Sequence, residues 1–148
     1  MSTSDAIRDR VGSLFDRSHD AVTTGLVVVF ALILGAFAAW LLADVLPRTV
    51  TFVLAAVGFG ALFYSRGTRR SVVAFGLYAL AALVALIPVV YELVLALNVA
   101  DPLAHLVSAT DLLFVLLFWV VALVPALVGY RVASGPFVPR IRSRLPDR

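Results

Sequence analysis

The chain contains no cysteine, which excludes disulfides, cysteine-held iron–sulfur clusters, thiol catalysis and thiolate zinc sites. It also lacks lysine, so all 12 basic residues are arginine, and its nine acids include a single glutamate, Glu92. Charge of either sign is sparse. Only 14% of the 148 residues are charged, against roughly 25% in soluble domains.

What replaces charge is apolar sequence. Hydrophobic residues make up 62% of the chain, well above the ordinary half, and they stand in long uninterrupted runs. About 20 residues at 1.5 Å each cross a hydrocarbon core, and four segments approach or exceed that length. They cover about 23–45, 49–65, 72–97 and 104–130. The expected fold is an all-α membrane protein, a four-transmembrane-helix bundle with an N-terminal amphipathic interfacial helix. Residues 1–22 form the amphipathic segment, 23–131 the transmembrane domain and 132–148 a basic tail.

Arginine placement sets the expected threading. Arg8, Arg10 and Arg17 precede the first run, and Arg66, Arg69 and Arg70 lie between the second and third. Arg131, Arg140, Arg142, Arg144 and Arg148 follow the fourth, leaving Arg48 alone at the opposite ends. By the positive-inside rule both termini are cytoplasmic and the number of spans is even. Arg8, Arg10, Arg66, Arg69, Arg70, Arg140, Arg142 and Arg144 are then expected to meet anionic headgroups on the inner face. Clustering beside spans argues against a nucleic-acid partner. Within 1–22, Ile7, Val11, Leu14 and Phe15 recur at helical spacing opposite Asp9, Ser13 and Asp16, as in a helix lying on a membrane or docked on a partner.

The abundance of Ala, Val and Leu, with Arg in place of Lys and Asp in place of Glu, resembles the usage of halophilic archaea or other organisms with GC-rich genomes. The resemblance is to small multi-pass membrane proteins of that type. It is compositional, spans the whole chain, and carries no family motif.

The segment "IPVVYELVLALNVADPLAHLVSATDLLF" (87–114) interrupts apolar sequence with Glu92, Asp101, His105 and Asp111. Two readings follow. If the third helix runs unbroken to Leu97 and the fourth starts at Asp101, Glu92 and Asp111 lie below the surface, where a charge is costly and usually functional. Pro88, four residues before Glu92, frees a carbonyl on that face. Alternatively, Tyr91 marks the outer boundary as Tyr64 and Tyr130 mark the inner one. Glu92 then falls just outside, and Asp111 or Thr110 caps the last helix. The second reading is favoured, because every span then has its required length with no buried charge. "DPLAH" looks like a helix start. The candidate ion or proton site is Glu92, Asp111, Asp44 and His105; no second His or Cys stands at metal-ligand spacing from His105.

Small residues recur at each fourth position in the first span, Ala31, Gly35, Ala39 and Ala43, and again as Ala56 and Gly60 in the second. Such rows let helix backbones approach closely in lipid. Packing between these two helices is the simpler use of the row, and homo-oligomerisation the other.

No "HExxH", Gly-rich phosphate loop or intramembrane carboxylate pair is present, so an enzyme is the least supported class. No cofactor is implied. The expected function is a non-catalytic accessory, assembly or bilayer-organising module of the cell membrane, with the lipid bilayer and a homo-oligomer or larger membrane complex as partners. The alternative is an oligomeric proton- or cation-linked transporter or channel using Glu92 and Asp111.

Overall fold

A computed structural model describes residues 20–99 and 108–135. The expected interfacial helix, Asp101, His105, the "DPLAH" start, and Arg8, Arg10, Arg140, Arg142 and Arg144 lie outside the described residues. The rest is all α-helical: α1 (Ala21–Leu41), α2 (Arg48–Tyr64), α3 (Arg69–Ala96) and α4 (Ala109–Ser134). α1, α3 and α4 are long and apolar enough to cross a membrane, and α2, at 17 residues, is shorter. The chain is a membrane-embedded helical protein.

Local chemistry fixes the helix ends. At the start of α3 the Thr68 hydroxyl accepts from the Ser71 amide at 3.2 Å, and the Ser71 hydroxyl donates back to the Thr68 carbonyl at 2.8 Å. At the start of α4 the Ser108 hydroxyl accepts from the Asp111 amide at 3.2 Å and donates to the Asp111 carboxylate. Both pairs satisfy backbone amides that a helix start leaves open. The cap of α4 is therefore Ser108, and Asp111 is its reciprocal partner in the first turn; Thr110 lies inside the helix. α1 ends at Leu41, where the Leu42 amide bonds the Ala38 carbonyl and the chain turns toward Pro47. α4 runs on to Ser134 and closes at Gly135, whose φ of 88° suits a residue without a side chain.

The helices pack in the order α2–α1–α3–α4. α1 lies against both α2 and α3, whereas α4 packs chiefly on α3. A glycine marks the close approach at each interface. A Cβ on Gly35 would stand 3.0 Å from the Ala56 Cβ and 3.1 Å from its backbone, and one turn away Gly60 faces Ala31. The row Ala31–Gly35–Ala39 thus meets Ala56 and Gly60 in antiparallel register. Ala43 falls outside it, in the turn beyond α1, because the helix has already ended. Between α1 and α3, Gly76 leaves room for the Phe30 ring; between α3 and α4, Gly129 sits on the Ala74 carbonyl and Tyr78 ring. Where lipid removes the hydrophobic drive, close backbone contact and dispersion hold helices together.

A core forms where α1, α2 and α3 meet. Phe63 and Val72 are fully buried, with Val27 and Leu34 beside them. Phe63 stacks on Phe59 and meets Phe30 edge-on, at centroid distances of 5.9 and 6.1 Å, arrangements the ring quadrupoles favour. α4, by contrast, buries only Ala122 and Gly129.

Candidate functional site

Two rims frame the helices. At the arginine-rich rim, Arg69 in α3 pairs with Asp20 just before α1. Arg70 donates from Nε to the Val132 carbonyl in the last turn of α4. The Arg66 guanidinium lies 3.6 Å from the centre of the Phe75 ring, a cation–π contact. Each of these arginines, expected at lipid headgroups, engages the chain itself, and the Arg69 side chain remains about half exposed. Together they join the start of α1, the start of α3 and the end of α4. The Arg69 and Arg70 links were not legible in the sequence, since each joins residues far apart in the chain.

Rise per residue gives the separation of the rims. From Arg70 to Glu92 is about 33 Å along α3, and from Arg131 to Asp111 about 30 Å along α4, close to the thickness of a hydrocarbon core. The second rim therefore holds Trp40, Asp44, Arg48, Glu92 and Asp111.

Glu92 meets neither sequence expectation in full. α3 does not stop at Tyr91; it continues through Glu92 to Ala96. Helical periodicity puts Glu92 about five turns above Ala74, on the face that meets α4. Glu92 is 7% exposed, and both carboxylate oxygens are enclosed. Pro88, one turn below, is fully buried. Tyr91 packs on Phe114 of α4 at 5.3 Å between ring centres. By height the acid stands at the boundary; by surroundings it is inside the protein. The favoured reading equated the two, and α4 separates them by covering a boundary residue.

The remaining candidates are dispersed. Asp111 is part-buried and engaged with Ser108. Asp44 is exposed in the α1–α2 turn, on the far side of α3 from Glu92, and lines a cleft with Arg48, Trp40, Tyr91 and Val94. Among the described residues no group of three His, Cys, Asp or Glu is arranged to hold a metal ion. A single enclosed carboxyl such as Glu92 does not by itself form a cation cage.

Sequence reading missed the cavities of this rim. One, of about 360 Å³, lies between α1 and α2 and is lined by Ala36, Ala39, Thr49 and Phe52. The other, of about 320 Å³, lies between α1 and α3. Trp40 and Arg48 border both. Compared with known proteins, no family model matches this chain, and neither a curated protein nor a solved structure matches it.

Proposed function

We propose that the chain is a non-catalytic membrane module that crosses the bilayer four times with both termini cytoplasmic, acting as an accessory, assembly or bilayer-organising component. The close packing of the helices carries this reading. Each of the three main interfaces is filled at a glycine: Gly35 rests on the Ala56 backbone, Gly76 takes the Phe30 ring, and Gly129 takes the Ala74 carbonyl and the Tyr78 ring. Such interfaces suit a fixed scaffold better than a water-filled route. The short α2 fits a span that stands nearly upright or thins the bilayer around it.

The test is flux across proteoliposomes holding a pH-sensitive dye, under an imposed potassium gradient with valinomycin. The expected proton and cation leak equals that of protein-free vesicles. A leak that depends on the protein and disappears in Glu92→Gln would overturn the module reading.

One observation favours the second reading, a proton- or cation-linked oligomer: Glu92 is enclosed by protein one turn above Pro88. Acids kept in such places in membrane proteins commonly mark proton or ion routes. The same flux measurement decides between the two.

A further inference from the structure

Two apolar grooves meet at one cation. Arg48 opens α2 at the arginine-poor rim, is exposed, and has no ion-pair or hydrogen-bond partner among the described residues. Trp40, 63% exposed, stands beside it as a ridge, braced by stacking on Phe37 with ring centres 5.8 Å apart. On one side of that ridge is the α1–α2 groove floored by Ala36, Ala39 and Phe52; on the other is the α1–α3 groove walled by Ile87, Val90 and Val94. Each has the volume of a small ligand pocket, about 300 Å³ or somewhat more.

We infer that this rim holds one two-chain phospholipid, its phosphate on Arg48 and one acyl chain in each groove astride Trp40. The height is right, because Trp40 and Arg48 lie where a bilayer places its phosphates. The charge is right, because a guanidinium binds phosphate through paired N–H donors. The shape is right, because two grooves diverging from one cation match a headgroup that bears two chains. Asp44, at the mouth of the α1–α3 groove, faces the headgroup beyond the phosphate and suits its hydroxyl or ammonium donors. This inference is independent of whether the module or the transporter reading holds.

The experiment uses the full chain carrying Trp119→Phe, which leaves Trp40 as its sole tryptophan. In detergent micelles, Trp40 fluorescence is titrated with chain-brominated phosphatidylglycerol and with diacylglycerol bearing the same brominated chains. The phospholipid is expected to quench at roughly tenfold lower mole fraction, the factor supplied by a hydrogen bond to a charged group. Arg48→Gln is expected to bring the two lipids together. Ala36→Phe, a change at an exposed position, is expected to fill the α1–α2 groove. It should weaken the two-chain lipid but not brominated lysophosphatidylglycerol. Equal quenching by both lipids, or a preference that survives Arg48→Gln, would mean ordinary annular contact and overturn the inference. Indifference of the two-chain lipid to Ala36→Phe would overturn the seating in two grooves.

Discussion

The Arg70 side chain donates to the backbone carbonyl of Val132, tying the first turn of α3 to the last turn of α4. The carbonyls at a helix C-terminus lack intrahelical partners and carry the negative end of its dipole, so a guanidinium there is doubly favourable. Arg70→Leu should loosen the end of α4. The expected loss is about 1 kcal/mol, below the range for buried charged hydrogen bonds because the site is exposed. Faster amide exchange at 131–134, with the α1–α2 pair unchanged, is the measurement. Unchanged exchange would make the contact incidental.

Gly35 and Gly25 lie in the same helix but in different surroundings. A Cβ at Gly35 meets the Ala56 backbone, whereas one at Gly25 meets nothing within 4 Å. Gly35→Val is expected to force α1 and α2 apart and cost about 1–3 kcal/mol. Gly25→Ala should leave stability equal or raise it by up to about 1 kcal/mol, through the helix propensity gained. Unfolding of both variants in mixed micelles, followed by circular dichroism, compares them directly.

Phe63 is fully buried at the meeting of three helices, and Val57, one helical face away, is 66% exposed. Truncating Phe63 to Ala should cost about 3–5 kcal/mol, because the cavity is bounded by the stacked Phe59 ring and the edge-on Phe30 ring and has little freedom to collapse. Val57→Ala should be close to neutral. Equal sensitivity at the two positions would place the core elsewhere.

The natural absence of cysteine permits single-cysteine labelling with no background to remove. With membrane-impermeant maleimide on intact cells, Asp44→Cys is expected to react quickly. Glu92→Cys, enclosed beneath α4, should react at least tenfold more slowly until the protein is unfolded. Rapid reaction at both positions would place Glu92 at the open surface; reaction of Asp44→Cys only after permeabilisation would invert the threading.

Much of the helical layout is legible in the sequence because hydrocarbon thickness and helical rise leave little freedom. Apolar runs bounded by Arg66, Arg69 and Arg70 can only be helices of a certain length, and the small-residue row of α1 announces a close neighbour. Glu92 is different. Its height follows from counting residues, but its enclosure depends on where α4 lies, and α4 is apolar all around, so its sequence marks no face for packing. Gly76 and Gly129 are equally silent, since a glycine becomes informative only with the ring or carbonyl that fills its space. Ser108 was the exception within reach: Ser-x-x-Asp before an apolar run is a cap signal in its own right.

The order α2–α1–α3–α4 also bears on biogenesis. Phe30, Phe63 and Val72, the centre of the core, are all present once α3 has been made, so three helices can settle before the fourth arrives. α4 then joins against a finished surface through α3, with Gly129 seating on Ala74 and Arg70 closing the last turn. The order in which contacts become available thus follows the order of synthesis, with those between α3 and α4 the last.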